Sequence, residues 1–394
     1  MLKDFDFCVR TRFIFGKTSL GRVGSELSKL GAKRVMIVRG TGNYLFSSGL
    51  LGSVMADLRD HGMQVTEYGG VQPNPRLSLV YELIGRARDD RADMLLAIGG
   101  GSVIDTAKAV AAGAVAANDV WDFFKKGKKI GTALPVGVIL TNPATGSESC
   151  AVTVINNTET QEKLLTSADA IRPAIVFMDP ELTLSLPAFV TACGVTDMFS
   201  HICERYFAPE EGIGSVDRMA EGLLKTLVEV GPRLMREPGN YDDRAEVMWI
   251  GTVAHNDTVG IGRTQDWSTH VIANELSALY DTPHGATLSI IMGAWMRVAC
   301  ERKPFRFARY AREVFSVPWD GETDAPAAAR SGIERTQEFF RSMGMPTSFA
   351  EYKLPTDGVG QMLDRIQFTG GDKSIGGIVR LNRSDVEKIY RMAF

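Results

Sequence analysis

Asp197 and His201 stand four residues apart in the run Thr196-Asp197-Met198-Phe199-Ser200-His201. On a helix that spacing puts both side chains on one face, one turn apart. His270, in Trp267-Ser268-Thr269-His270, and His284, in Thr282-Pro283-His284-Gly285, follow downstream. One carboxylate and three imidazoles carry one formal negative charge and hard-to-borderline donors, a set suited to a divalent first-row ion such as Fe(II) or Zn(II). The Asp197/His201 pair alone reads as readily as a helix-face hydrogen bond, and spacing cannot make ligands converge from positions as far apart as 197 and 284. His255 reads as a helix-end residue or a neighbour of the cage, His61 as a solvent-facing helix terminus, and Asp266 as an N-cap of the helix that follows it.

A second chemistry lies upstream. Met94-Leu95-Leu96-Ala97-Ile98 is a continuous apolar run of the kind a buried parallel strand needs. Gly99-Gly100-Gly101-Ser102 follows at once, and Val103 to Lys108 opens a helix. Glycines let a backbone approach phosphate closely, and the N–H groups of a first helical turn attract its charge. Gly99, Gly100, Gly101 and Ser102 are therefore candidates for a dinucleotide pyrophosphate, although the pattern is not the Gly-x-Gly-x-x-Gly fingerprint. A second loop, Arg39-Gly40-Thr41-Gly42-Asn43, ends an earlier apolar strand without an acidic residue. An acid there would grip the ribose hydroxyls and repel a 2′-phosphate; its absence, with Arg39 beside it, points to NADP(H), with NAD(H) as the alternative. A third stretch, Thr141 to Glu148, offers the hydroxyls of Thr141 and Thr145 to the phosphates or the nicotinamide amide.

The elements needed to carry these groups follow from patterning. Strand-like segments at 34–38, 64–68, 94–98, 137–140 and 174–178 alternate with amphipathic stretches at 20–30, 50–61, 77–88 and 102–117, a rhythm that predicts a mostly parallel sheet with helices on both faces. Residues 150–156 read as an additional antiparallel element. From Pro187 onward, 221–230, 245–254, 286–299, 304–314, 327–343 and 385–392 carry apolar residues at three-to-four spacing, which predicts an all-helical second half. The expected division is a dinucleotide-binding α/β domain over 1–186 and a helical metal-binding domain over 187–394. The Gly-rich stretch from Thr369 to Gly377 reads as a surface loop.

At 394 residues the chain exceeds one compact core, and 44% hydrophobic with 23% charged residues is the composition of a globular protein. The net charge of −3 gives no electrostatic case for nucleic acid or a membrane surface. No apolar run approaches a membrane span, and the first residues lack the apolar core of a signal peptide. Cys8, Cys150, Cys193, Cys203 and Cys300 are odd in number and contain no Cys-x-x-Cys pair, which suggests free thiols in a reducing, cytoplasmic compartment.

Taken together, these residues resemble the iron-containing, group III alcohol dehydrogenases, nearest the butanol dehydrogenase-like, NADPH-dependent aldehyde reductase branch. The resemblance spans essentially the whole chain and rests on Phe13-Ile14-Phe15-Gly16, Ile98 to Lys108, Ala144-Thr145-Gly146-Ser147-Glu148, Met178-Asp179-Pro180-Glu181, Thr196-Asp197 with His201, and Trp267 to Gly285. It implies a dehydroquinate synthase-like fold, with a Rossmann-like N-terminal domain, a helical C-terminal domain and the site between them. It also implies metal ligands at Asp197, His201, His270 and His284, with Fe(II) as the metal and Zn(II) or Ni(II) as alternatives. Dinucleotide contacts fall on Gly40, Thr41, Asn43, Gly99, Gly100, Gly101, Ser102, Asp105, Thr141, Thr145 and Lys163; Asp105 and Lys163 come from the resemblance only. The implied reaction interconverts small, aliphatic primary alcohols and aldehydes in a homodimer. Many relatives carry a histidine four residues after the third ligand, where this chain has Asn274, a group unable to act as a base near neutral pH. Other readings on the same fold are a dehydroquinate synthase-like or glycerol dehydrogenase-like enzyme, and, away from catalysis, a nucleotide-binding protein.

Overall fold

The computed structural model describes residues 2–210, 212, 214–369 and 372–394. The chain divides into two compact units, Cys8–Ser185 and Leu186–Phe394, and Met1–Phe7 belongs with the second. The expected division had assigned those first seven residues to the α/β part. Within the second unit, the Lys3 N–H donates to the Gly262 carbonyl at 2.8 Å, and Lys3 Nζ meets Glu210 and Thr264.

The first unit is built on a six-stranded, wholly parallel sheet. In chain order its strands are β1 (Arg12–Phe15), β2 (Arg34–Gly40), β3 (Gln64–Val71), β4 (Met94–Gly100), β5 (Val136–Asn142) and, after a hairpin, β8 (Ile175–Met178). Their spatial order is β1-β8-β5-β4-β2-β3. The central strands read as unbroken apolar runs because both sheet faces are covered; Leu95, Leu96, Ala97 and Ile98 of β4 are completely buried. Strand β1 was visible in the sequence only as part of the Phe13–Gly16 family motif. The hairpin comprises β6 (Val152–Asn157) and β7 (Glu162–Ser167), an antiparallel pair separate from the main sheet, with Asn156 opposite Lys163.

The second unit is helical. Its Ala188–Tyr206 helix follows Pro187 and presents Val195, Met198, Phe199, Ile202, Cys203 and Tyr206 to the core at three-to-four spacing, each at most 1% exposed. It packs against the His284–Arg302 helix, which in turn packs against Ser268–Tyr280. The stretch expected as a surface loop is only partly one. Gly370 and Gly371 lie outside the described residues, but Ser374 and Ile375 are buried, and the Gly377 N–H donates to Asp266 at 2.7 Å. The glycines dominated the sequence pattern and hid the buried residues between them. No helix among the described residues is long and apolar enough to cross a membrane.

Candidate metal centre and dinucleotide loops

Asp197 and His201 point from one face of the Ala188–Tyr206 helix, and His201 Nε2 lies 3.6 Å from Asp197 Oδ1. The other two imidazoles come from helix beginnings. Trp267, at φ 63°, turns the chain into the Ser268–Tyr280 helix and places His270 in its first turn. His284 opens the next helix, where a Cβ on Gly285 would strike the backbone of Cys193 on the Ala188–Tyr206 helix. Only glycine permits that approach. His270 Nε2 and His284 Nε2 then stand 3.7 and 3.8 Å from the same Asp197 Oδ1.

Three imidazole nitrogens around one carboxylate oxygen at 3.6–3.8 Å are too far for hydrogen bonds. The separations suit the edges of a coordination shell whose bonds are about 2.0–2.2 Å. Candidate ligand atoms of Asp197, His201 and His270 all lie within 4.8 Å of one another. Asp197 Oδ1 and His270 Nε2 are buried without a hydrogen-bond partner, an arrangement that costs about 1–3 kcal/mol per group unless something else binds them. The donor set and the orphaned atoms both fit a divalent cation. The Asp197 and His201 side chains are 4% exposed and that of His284 24%, so the cluster is most open on the His284 side.

The electrostatics agree. Burial, reinforced by the neighbouring His255 and His270, holds His201 well below the ordinary histidine range and so keeps its nitrogen free of a proton. At His270 burial also pulls downward, but the negative charge of Asp197 and Glu204, with the hydrogen bond to Glu204, outweighs it and raises the pKa. The position therefore favours positive charge.

Glu204 did not figure in the sequence reading. Its Oε1 accepts the His270 ring Nδ1–H at 2.8 Å and the His270 backbone N–H at 2.9 Å, fixing Nε2 toward Asp197. The signal was present: residues 197, 201 and 204 fall on one face of the helix. Asp266 holds no imidazole. The N-cap expected of it is Trp267 instead, one residue on, and the Asp266 carboxylate accepts from the N–H and hydroxyl of Ser268, the first residue of the His270 helix. Arg205, the one basic residue close by in sequence, bonds the His201 carbonyl, pairs with Asp257 at 3.2 Å and lies over the Trp267 ring. The His255 ring lies against that of His201, with centroids 4.2 Å apart and planes tilted by 30°. Cys203 is buried, and burial pushes the Cys193 thiol up to about 12.

In the first unit, the three predicted loops leave the C-terminal ends of β2, β4 and β5, which are neighbours in the sheet. That edge is where open α/β sheets bind nucleotides. It gathers Gly40 at the end of β2 with Thr41 and Asn43 beyond it, Gly99 and Gly100 closing β4 with Gly101 and Ser102 opening the Gly101–Val115 helix, and Thr141 near the end of β5 with Thr145 beyond it. Glycine is required in the middle loop: a Cβ at Gly99 would lie 2.5 Å from Val103 Cγ2, and one at Gly101 would strike the Thr145 side chain. Lys163 belongs to β7, with Nζ 3.4 Å from Asn74 Oδ1. Asp105 is occupied within the protein. Its carboxylate accepts from Ser147 Oγ at 2.6 Å and from the Val154 N–H at 3.0 Å, and burial raises its pKa against the pull of Lys108.

A family model for iron-containing alcohol dehydrogenase matches residues 10–180, and the C-terminal model of the Fe-containing alcohol dehydrogenase family matches 191–394. The chain belongs to the iron-containing alcohol dehydrogenase family. Among its relatives, NADH-dependent butanol dehydrogenase A of Clostridium acetobutylicum is 36% identical, covering 99% of this chain and 100% of the relative. NADPH-dependent aldehyde reductase YqhD of Escherichia coli is 35% identical over 94% of both chains. The solved structure of NADH-dependent butanol dehydrogenase A from Thermotoga maritima superposes with a TM-score of 0.94 at 34% identity, covering 100% of this chain and 99% of that one. The chain is thus an alcohol dehydrogenase linked to a nicotinamide dinucleotide.

Two residues of this dehydrogenase have roles that its sequence did not assign. Lys108 is completely buried, and its Nζ donates to Ser147 O, Ser147 Oγ, Cys150 O and Val152 O at 2.5–3.0 Å, tying the loop that carries Thr145 to the helix that follows the glycines. Glu67, on β3, pairs with Arg39. The dehydrogenase therefore does carry an acid at the β2 edge, supplied by the adjacent strand instead of the loop.

Proposed function

We propose that this dehydrogenase transfers a hydride between NADP(H) and small, aliphatic primary alcohols or aldehydes, with Asp197, His201, His270 and His284 holding Fe(II), and Zn(II) or Ni(II) as alternative occupants. The observation that carries the reading is the convergence of three imidazole nitrogens on Asp197 Oδ1. A cation at that point supplies Lewis-acid polarisation of the carbonyl oxygen in reduction and stabilises the alkoxide in oxidation. Glu204 orients His270 for that task, and burial keeps His201 unprotonated at working pH. The partly exposed His284 side is the approach for substrate.

Gly99, Gly100, Gly101 and Ser102 bind the pyrophosphate through backbone N–H groups at the helix N-terminus, flanked by Gly40, Thr41 and Asn43 on one side and by Thr141, Thr145 and Lys163 on the other. Asp105 acts behind them as a positioning residue that holds Ser147. Asn274 lies one helical turn beyond His270 and carries no exchangeable basic site. With a coenzyme bound, water and a ribose hydroxyl would have to take the hydroxyl proton; the alternative is a substrate unlike that of the relatives that carry histidine there. The preference for NADP(H) rests on the β2 loop, which has Arg39 and no carboxylate of its own. Relatives named for NADH and for NADPH both occur. A homodimer in a reducing, cytoplasmic setting is the proposed working state, drawn from the family likeness and from free thiols at all five cysteines.

The test is a panel of aldehydes and alcohols, butyraldehyde included, run with both coenzymes on protein loaded in turn with Fe(II), Zn(II) and Ni(II). Aldehyde-dependent oxidation of NADPH, lost in His270→Ala while NADPH still binds, is expected. No oxidation of either coenzyme with any of the metals refutes the proposal.

A further inference from the structure

We propose that Glu67 tunes the coenzyme preference of this dehydrogenase by holding Arg39; the inference rests on the proposed dinucleotide site at the ends of β2, β4 and β5. Glu67 lies opposite Ile37 in the β2–β3 register, so Arg39, two residues on, stands diagonally across from it on the same face. Arg39 Nε donates to Glu67 Oε1, and Nη1 donates to the Gly40 carbonyl at 2.9 Å. The Phe46 ring centroid is 4.5 Å from Arg39 Cζ. On the remaining side the guanidinium fills the space beside Gly69, where a Cβ would lie 2.6 Å from Cζ. A carboxylate, a carbonyl, an aromatic ring and a bare glycine thus fix one cation beside the loop that carries Gly40, Thr41 and Asn43. The pair is neither buried nor free, with side chains 16% and 23% exposed.

NADP differs from NAD by a 2′-phosphate carrying about −1.5 to −2 charges. Next to the β2 loop that group gains from a cation and loses to an anion. Arg39 and Glu67 present one of each in a single fixed pair. The guanidinium is partly neutralised, so its advantage for NADPH is modest and NADH remains an acceptable coenzyme. The β2 loop alone suggests a stronger NADP(H) preference because the countercharge sits on the neighbouring strand.

Two substitutions separate the charges. Glu67→Gln keeps the shape and the acceptor oxygen while deleting the negative charge; Arg39→Met deletes the positive charge and leaves Glu67 unopposed. NADPH and NADH dissociation constants are measured on the full chain by nicotinamide fluorescence titration, with circular dichroism to verify folding. Glu67→Gln is expected to shift the affinity ratio toward NADPH by about three- to fivefold, the upper scale of one partly exposed charge contact. Arg39→Met is expected to shift it toward NADH by a similar factor, and added salt shrinks both shifts. Ratios within about twofold of the parent in a folded variant, or shifts in the same direction, overturn the proposal. A parent chain that binds neither coenzyme is a different result, which overturns the dinucleotide site itself and this inference with it.

Discussion

Glu204 never reaches the proposed cation, yet its loss should be felt there. One oxygen, Oε1, accepts both the His270 ring Nδ1–H and the His270 backbone N–H, at 2.8 and 2.9 Å. Glu204→Ala strands both buried donors, a cost of roughly 1–3 kcal/mol each. It also frees the imidazole to rotate and to carry its proton on the nitrogen that should bind metal. Loss of a carboxylate behind a ligating histidine typically lowers metal affinity 10- to 100-fold, or about 1.4–2.8 kcal/mol. Glu204→Gln keeps an acceptor at the same place and should fall nearer the parent. The assay is competition for Fe(II) or Zn(II) against a graded series of chelators, with NADPH titration on the same samples. The expected result is weaker metal retention in the order Ala, Gln, parent, with NADPH affinity unchanged because that site belongs to the other unit. Retention in a folded Glu204→Ala chain within about twofold of the parent would show that His270 needs no such support, or that it is not a ligand.

Lys108→Met removes the donor shared by Ser147, Cys150 and Val152 and should lower unfolding stability by about 3 kcal/mol, from at least two stranded buried acceptors, as read from urea denaturation. Gly101→Ala drives a methyl into the Thr145 side chain and should weaken NADPH binding at least about tenfold without altering metal content; unchanged coenzyme affinity refutes the pyrophosphate role. Glu26, held by Arg22, Lys29 and Arg12, has its pKa lowered from 4.5 to about 2. Its contribution to stability is full above pH 4.5 and is lost as the pH falls toward 2, because the unfolded chain takes up the proton first. Glu26→Gln should therefore lower Tm at neutral pH and leave it nearly unchanged near pH 2.

The legible parts of this chain were those encoded by spacing within one element. The 197/201 pair, the apolar run into Gly99–Ser102 and the alternation of strands and helices could all be read from local periodicity. What sequence spacing could not supply was convergence. His270 and His284 meet Asp197 only because two later helices pack back on the first, and the family resemblance, not periodicity, had joined them. Glu67 escaped because a contact across parallel strands leaves no fixed offset in sequence. Glu204 shares the helix face of Asp197, but its role depends on His270, 66 residues further on, and no offset within the helix encodes that contact. Asp105 was assigned to the coenzyme through the resemblance, whereas its carboxylate is engaged by Ser147 and Val154.

The segment that carries Lys3 joins the unit formed by the other end of the chain, and its partner Thr264 lies 261 residues further on. At a synthesis rate of about 5–20 residues per second, the nascent segment waits roughly 13–50 s before that partner exists. Leu2, Phe5 and Phe7, still 39–56% exposed after folding, stay uncovered throughout that interval while the α/β unit is free to assemble behind them. The strap is consequently among the last contacts to close.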